Sequence, residues 1–140
     1  MIVLDTSVLS RALRRRPRSQ QTDPLAEKLE FVLRENVPVA IPGIVLQELL
    51  SGVRTLKQFA DLRDKLEAFP LVMASIADHV EAARLVNQCR TTGIAVTAID
   101  ALIAAMTIRI DGDLFTLDRD FGRIAELTPL RLMTLREEGA

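Results

Sequence analysis

Five acidic residues border apolar runs in distant parts of this chain: Asp5, Glu48, Asp100, Asp118 and Asp120. Asp100 is the most informative of them, because it is the only ionisable residue in the apolar stretch from Ile94 to Ile108. A carboxylate in such surroundings must be paired, hydrogen-bonded or bound to a cation, since an isolated buried charge is too costly to keep. The sequence therefore predicts one acidic cluster that forms the functional site.

A cluster of this composition indicates a hard metal ion. Several carboxylates cannot share a small pocket as bare anions, so some must be protonated or a cation must be present. Oxygen ligands without a His or Cys cluster favour Mg²⁺ or Mn²⁺ over zinc. The chain has one histidine, His79, which lies in a charged helical segment where we expect it to be exposed and non-catalytic.

Each Asp also has a purely structural interpretation. Asp5 and Asp118 follow apolar runs and are suited to cap the helices that come next. Asp120 would then be a first-turn acid, and the pair Thr97-x-x-Asp100 has the spacing of a capping box. For a single residue both interpretations stay open.

Glu48 falls at the border of the apolar face of a predicted helix. Gly52 follows one turn later, where a mid-helix glycine costs about 1 kcal/mol relative to alanine. We interpret Gly52 as leaving space beside the carboxylate. The alternative is a glutamate on a solvated helix face.

The elements that position these acids alternate along the chain. Short apolar runs predict strands at Ile2-Leu4, Val39-Ile41, Leu71-Met73, Leu114-Leu117 and Leu130-Met133. Helical periodicity covers Ser7-Arg15, Pro24-Glu35, Gly43-Arg54, Leu56-Phe69, Ile76-Arg90 and Ala98-Arg109, and a short helix follows Asp118. Strands without polar alternation, separated by helices, indicate an α/β fold with a parallel sheet covered on both faces. We expect one domain over residues 1–140.

Two helix boundaries have local causes in the sequence. Ser75 and Asp78 have the spacing of a capping box at the start of the fifth predicted helix. Gly93 follows the end of that helix, where glycine is a common stop signal.

Composition narrows the class of protein. Eighteen Lys and Arg against nineteen Asp and Glu give a net charge of −1, which argues against a protein that coats nucleic acid. No segment reaches the roughly 18 apolar residues of a membrane helix, and the N-terminus has no export leader. We therefore expect a cytoplasmic protein without membrane contact, and the single Cys89 fits a reducing compartment.

Basic residues concentrate near the N-terminus. Arg11, Arg14, Arg15 and Arg16 lie within six positions of one another. These arginines are the candidates for contacts with the phosphates of a nucleic acid, against the alternative of a plain solvated surface.

The acids and their neighbours together resemble one family over nearly the whole chain. The matching segments are Leu4-Asp5-Thr6-Ser7-Val8-Leu9, Glu48 with Gly52, Asp100-Ala101-Leu102-Ile103-Ala104-Ala105 and Thr116-x-Asp118-x-Asp120-Phe121. Their order resembles that of PIN-domain ribonucleases, and among them the VapC-type toxins of type II toxin–antitoxin systems. The resemblance implies a three-layer α/β/α fold with a central parallel sheet of about five strands. Ser7 departs from it, standing where many relatives have asparagine.

The implied activity is metal-dependent hydrolysis of RNA phosphodiester bonds without a covalent intermediate. Asp5, Asp100 and Asp118 are then the expected ligands of Mg²⁺ or Mn²⁺. Glu48 is either a ligand through water or the residue that orients the attacking water, and Asp120 serves a second ion. We expect Thr6, Ser7 and Thr116 to hydrogen-bond the ligands or the phosphate.

The resemblance also implies partners. These are a cognate antitoxin protein that covers the acidic groove, a second copy in a homodimer, and the RNA substrate. Leu-rich helical segments between Pro24 and Phe69 offer a groove for a partner helix, although core packing explains most of them equally well.

Other functions remain open at this level. One is a housekeeping PIN nuclease in RNA maturation, and another is a non-catalytic receiver-like or binding module. A phosphatase-type Asp nucleophile is discounted, because Ser7 occupies the place where a second Asp would be expected.

Overall fold

The computed structural model describes residues 1–13 and 23–133. Its strands are β1 (Ile2–Leu4), β2 (Val39–Pro42), β3 (Leu71–Val72), β4 (Asp113–Phe115) and β5 (Arg131–Met133). Its helices are α1 (Thr6–Ala12), α2 (Pro24–Arg34), α3 (Gly43–Leu50), α4 (Leu56–Glu67), α5 (Ile76–Thr91), α6 (Ala98–Arg109) and α7 (Asp120–Leu127).

The five strands form one parallel sheet in the order β3-β2-β1-β4-β5. β1 is central, with Ile2 beside Val39 of β2 and Leu4 beside Phe115 of β4. A receiver-like sheet has the order 2-1-3-4-5, so the receiver-like alternative is wrong for this chain. The predicted α/β class and the five parallel strands are confirmed.

Burial of the central strands explains why their sequences lack polar alternation. Every residue of β1 and β2 is buried. Since successive side chains point to opposite faces of a sheet, both faces of these strands are covered by helices. The helix α6 is likewise buried along most of its length, from Ala101 to Thr107 apart from the half-buried Leu102. The architecture is the expected three-layer α/β/α.

Helix starts follow the capping residues that the sequence indicates. The Ser75 hydroxyl accepts a hydrogen bond from the Asp78 amide, and the Asp78 carboxylate accepts one from the Ser75 amide, which completes a capping box. The Thr97 hydroxyl accepts from the Asp100 amide at the start of α6. Gly93 has a φ of +81°, a left-handed conformation suited to a residue that ends a helix.

The bounds of three predicted elements need correction. The third helix ends at Leu50 rather than Arg54, so Gly52 lies in a turn and not inside a helix. Gly52 has a φ of +85°, and this left-handed conformation, rather than space beside Glu48, accounts for the glycine.

The fourth strand ends at Phe115 rather than Leu117, because side-chain hydroxyls accept hydrogen bonds from the backbone amides of Leu117 and Asp118. The first helix begins at Thr6 and ends at Ala12 rather than Arg15.

An ion pair with one buried partner joins α5 to the end of α6. Asp78 is 2% exposed, and its two carboxylate oxygens accept hydrogen bonds of 2.8 and 2.9 Å from Nε of Arg109. Burial alone would raise the pKa of Asp78, but hydrogen bonds from Arg109 and Ser75 more than offset it, so the pKa lies below its ordinary value. The pair therefore stabilises the folded state when Asp78 is ionised. Among the described helices, none is both long and apolar enough to cross a membrane.

Candidate active site

The acids of the candidate site come from the carboxyl ends of neighbouring strands. Asp5 directly follows β1, and Thr116 and Asp118 follow β4, which pairs with β1 in parallel. The amide of Asp5 donates a 3.1 Å hydrogen bond to the carbonyl of Phe115, so the two chain segments leave the sheet side by side. This is the edge of an open parallel sheet where ligands bind.

Asp5 is held by two hydroxyl groups. It is 5% exposed, and its Oδ2 accepts hydrogen bonds of 2.8 Å from Ser7 Oγ and 2.7 Å from Thr116 Oγ1. Asp5 is also the N-cap residue of α1, but its side chain makes no capping hydrogen bond. Its carboxylate is therefore held by side-chain hydroxyls rather than by the backbone amides of the helix terminus.

Glu48 lies on α3 and contacts the residue that follows Asp5. Its Oε1 accepts a 3.1 Å hydrogen bond from the Thr6 hydroxyl, and both side chains are partly buried. The predicted border position of Glu48 is thus confirmed, and the interpretation as a fully solvated glutamate is wrong.

Asp100 lies in the first turn of α6 and is half-buried. Burial, then the charges of Asp118 and Asp5 and, more weakly, Asp120, raise the pKa of Asp100 to about 6, against a small opposing effect from Thr97. Cap position and raised pKa occur together, so the structural and functional interpretations of this residue are compatible. A nearby positive charge would stabilise the ionised form of this carboxyl and lower its pKa.

Asp118 and Asp120 are exposed and close to Asp100. One carboxylate oxygen from each of these three residues lies within 4.8 Å of the others. Asp118 Oδ1 accepts a 2.9 Å hydrogen bond from the amide of Asp120, which fixes the turn into α7. The N-cap position of α7 is taken by Arg119, but Asp118 supplies the side-chain hydrogen bond that the sequence suggested.

The structure brings the predicted acids together in a slightly different grouping. Asp100 and Asp118 belong to the close group as expected, and Asp120 completes it, although the sequence gave it a weaker role. Asp5 adjoins the group closely enough to raise the pKa of Asp100, but it is not a member. The Asp118-x-Asp120 spacing is the signal that merited more weight, because a tight turn brings residues i and i+2 together.

The donor set fits a hard divalent cation. The close group offers only carboxylate oxygens, at separations of the order of two metal–oxygen bonds, which is about 4 Å for Mg²⁺. His79 is exposed on α5 and Cys89 is buried in the core, and neither belongs to the group. The residues present therefore suit Mg²⁺ or Mn²⁺ better than zinc.

The predicted phosphate-binding arginines are only partly described. Arg11 forms a two-pronged ion pair with Asp23, at 2.7 Å from Nε and 2.8 Å from Nη2. This pair joins the end of α1 to the N-cap of α2. Arg14, Arg15 and Arg16 lie outside the described residues, so phosphate contact by the four arginines stays a prediction.

Comparison with known protein families decides the classification. The PIN domain family profile matches residues 2–127. The chain belongs to the PIN domain family. A comparison with curated proteins finds no match.

Solved structures with this PIN fold cover nearly the whole chain. One is VapBC2 from Rickettsia felis bound to a DNA fragment from their promoter, with 26% identity, a TM-score of 0.76, and coverage of 95% of this chain and 98% of that one. FitAcB from Neisseria gonorrhoeae has 22% identity and a TM-score of 0.75, and VapBC-1 from nontypeable Haemophilus influenzae has 20% and 0.75. Each of these two matches covers 96% of this chain and 98% of the other. These likenesses agree with the three-layer architecture.

Proposed function

We propose that this PIN domain is a Mg²⁺- or Mn²⁺-dependent endoribonuclease that acts as the toxin of a toxin–antitoxin pair. The observation that carries the proposal is the group of Asp100, Asp118 and Asp120 at the sheet edge of a PIN domain. Three carboxylates at this spacing, one of them with a pKa raised by burial and by its acidic neighbours, form a site that a divalent cation would neutralise. PIN domains are generally nucleases, and a phosphodiester fits such a site because its charge also calls for a cation.

The chain's own residues have distinct roles in this proposal. Asp100 and Asp118, with Asp120 from the same group and Asp5 beside them, hold the ion. When bound, the ion would neutralise charge on the phosphodiester and make water a better nucleophile. Glu48, whose carboxylate the Thr6 hydroxyl holds in place, orients the attacking water. Ser7 and Thr116 keep the Asp5 carboxylate in place.

The proposed partners follow from the structural neighbours and from the surface. VapBC2 from Rickettsia felis and VapBC-1 from Haemophilus influenzae share the fold, and a further neighbour is described as a toxin-antitoxin complex from Klebsiella pneumoniae. We infer a cognate antitoxin for this chain. Apolar side chains exposed on α2 and α4 support a docking face there: Phe31, Leu33, Leu56 and Phe59. The proposal includes a homodimer, a single domain over residues 1–140, and action in the cytoplasm.

The test combines RNA cleavage with cation binding in purified protein. Wild-type protein should bind Mn²⁺ in a calorimetric titration and cleave RNA only when Mg²⁺ or Mn²⁺ is present. Asp100→Asn and Asp118→Asn should lose both properties while remaining folded. Asp64→Asn, which removes an exposed carboxylate on α4 away from the site, is the matched control and should behave as wild type. Wild-type cleavage rates in a folded Asp118→Asn protein would refute the assignment.

A second experiment separates a toxin from a housekeeping nuclease. Expression of the wild-type chain should arrest growth, and co-expression of the small gene next to its own should relieve the arrest. The Asp118→Asn variant should not arrest growth. Cleavage of RNA in vitro without any growth arrest would favour the role in RNA maturation.

A further inference from the structure

The two oxygens of the Asp5 carboxylate are in different environments. Oδ2 accepts two hydrogen bonds, from Ser7 at 2.8 Å and from Thr116 at 2.7 Å. Each hydroxyl has a single hydrogen, and each has used it on this oxygen. The 3.3 Å approach between Ser7 Oγ and Thr116 Oγ1 is therefore a contact between neighbours rather than a further donation.

The two hydroxyl groups are themselves fixed by the backbone. Ser7 Oγ accepts a 3.0 Å hydrogen bond from the Leu117 amide, and Thr116 Oγ1 accepts one of 3.0 Å from the Asp118 amide. A hydroxyl that accepts from a rigid amide and donates to a carboxylate has no freedom left to rotate. Both donors to Asp5 are thus locked in direction.

Oδ1 of Asp5 is open on the side away from these hydroxyls. It accepts no hydrogen bond from the described residues. Among those residues no fully buried side-chain oxygen lacks a partner, so Oδ1 must reach the surface even though Asp5 as a whole is 5% exposed. The carboxylate presents one closed oxygen and one accessible oxygen.

We propose that Ser7 and Thr116 are positioning residues that restrict Asp5 to binding a cation through Oδ1 alone, and that this restriction favours small cations over Ca²⁺. The inference rests on the proposed function, because it concerns the ion of the same site. The two hydrogen bonds occupy both lone pairs of Oδ2. Asp5 therefore cannot coordinate one ion through both of its carboxylate oxygens. Ca²⁺ readily takes carboxylates through both oxygens and needs six to eight ligands, whereas Mg²⁺ is satisfied by fewer carboxylate contacts.

The experiment measures Mn²⁺ and Ca²⁺ affinity by calorimetry for the wild-type protein and three variants. Thr116→Val keeps the shape of the side chain but removes the hydroxyl, Ser7→Ala removes the other donor, and Thr116→Ser restores a hydroxyl. Partners of metal ligands typically change metal affinity by about 10- to 100-fold. We expect Thr116→Val and Ser7→Ala to lose Mn²⁺ affinity in this range and to lose less Ca²⁺ affinity, so that the Mn²⁺/Ca²⁺ affinity ratio falls. Thr116→Ser should retain the wild-type ratio.

The ratio decides between positioning and general structural damage. A variant that is merely destabilised would lower both affinities together, and an unchanged ratio in the folded Thr116→Val and Ser7→Ala proteins overturns the inference. Thermal unfolding identifies any variant that fails to fold, and the other variant then carries the test. Failure of the proposed function gives a different result, because wild-type protein would then bind no Mn²⁺ at all.

Discussion

The hydroxyl of Thr6 donates a 3.1 Å hydrogen bond to Glu48, although 42 positions separate the two residues in the chain. Thr6 is the first residue of α1, and Glu48 lies in the second half of α3. The contact joins the segment after β1 to the helix after β2, so that two adjacent strands contribute to one position of the site. It fixes the orientation of the Glu48 carboxylate and leaves Oε2 without a hydrogen bond from the described residues.

The Thr6–Glu48 contact gives a first prediction. Glu48→Gln should lower kcat for RNA cleavage by about 10²-fold or more, since a residue that positions or deprotonates water contributes on this scale. Thr6→Val should lower kcat by about 10-fold, because Glu48 loses its fixed orientation but keeps its charge. Thr6→Ser, which retains the hydroxyl, serves as the control and should keep most activity. Steady-state cleavage assays at saturating Mg²⁺ measure all three, and equal rates for Thr6→Val and wild type would contradict the role.

The raised pKa of Asp100 predicts an unusual pH dependence for the cation-free protein. The folded pKa of about 6 lies above the ordinary value of 3.8, so the unfolded chain ionises more easily and this group lowers stability as pH rises from about 4 to about 6. Asp100→Asn should therefore stabilise the cation-free protein at pH 7 by about 1–2 kcal/mol. This is less than the pKa difference would give at about 1.36 kcal/mol per pKa unit, because solvent screens the charge of a half-buried group.

Urea unfolding in the presence of EDTA measures this effect, with Asp64→Asn as control. The stabilisation by Asp100→Asn should vanish below about pH 4, where both states are protonated. If the stability difference between Asp100→Asn and wild type is the same at pH 4 and pH 7, neither burial nor the neighbouring acids raise the pKa of Asp100.

Cation binding should make the wild-type protein more stable than variants that lack one of the grouped carboxylates. At a free Mn²⁺ concentration 100-fold above its dissociation constant, wild-type protein should gain about 2.7 kcal/mol of unfolding free energy. Asp118→Asn and Asp120→Asn should gain much less, because each removes one member of the three-carboxylate group. Affinity should fall below about pH 6, since Asp100 must lose its proton to bind the ion. Thermal unfolding with and without Mn²⁺ tests each variant, and a full 2.7 kcal/mol gain in either variant would exclude its residue as a ligand.

The Asp78–Arg109 pair predicts acid sensitivity of the fold. Arg109→Met should destabilise the protein more than the loss of an exposed pair does, but less than the loss of a fully buried pair, because Arg109 is 42% exposed. The pKa of Asp78 is lowered in the folded state, so its stabilisation is present above the ordinary value near 3.8 and is lost as pH falls below it. Arg84→Met, which breaks an exposed pair with Glu81, should cost about 0.5 kcal/mol or less. Urea unfolding at pH 7 compares the two, and equal losses would argue against the Asp78–Arg109 pair.

Gly52 and Gly122 both have space for a side chain, but they differ in backbone conformation. A Cβ added at Gly52 or at Gly122 meets nothing within 4 Å, but only Gly52 has a positive φ. Gly52→Ala should therefore destabilise the protein by about 1–2 kcal/mol through backbone strain alone. Gly122→Ala lies inside α7 and should stabilise it by about 0.5–1 kcal/mol. Urea unfolding measures both, and a neutral Gly52→Ala would show that the turn can adjust its φ.

Structural features that depend only on residues close together in the sequence could be predicted. The buried strands β1 and β2 follow from uninterrupted apolar runs, and the starts of α5 and α6 follow from Ser75 and Thr97, each acting three residues away. The end of β4 could not be predicted. It depends on Ser7 binding the amide of Leu117, 110 positions away, which requires the parallel register of β1 with β4.

The candidate site shows the same division. Its acids could be named, because each interrupts or borders an apolar run. Their grouping could not be derived from the sequence. Asp120 lies beside Asp100, and Asp5 contacts two hydroxyls, only once the strands have paired and brought these distant segments together.

The central position of β1 has a consequence for biosynthesis. β1 leaves the ribosome first, yet its partner β4 and the acids that follow it are made after residue 112. Until then the nascent chain carries Asp5 beside an unpaired strand edge and lacks both Asp118 and Asp120. A translation product that stops before β4 therefore lacks two of the three grouped carboxylates and has an unpaired strand edge, which favours aggregation. The group of Asp100, Asp118 and Asp120 can form only after residue 120 has been synthesised.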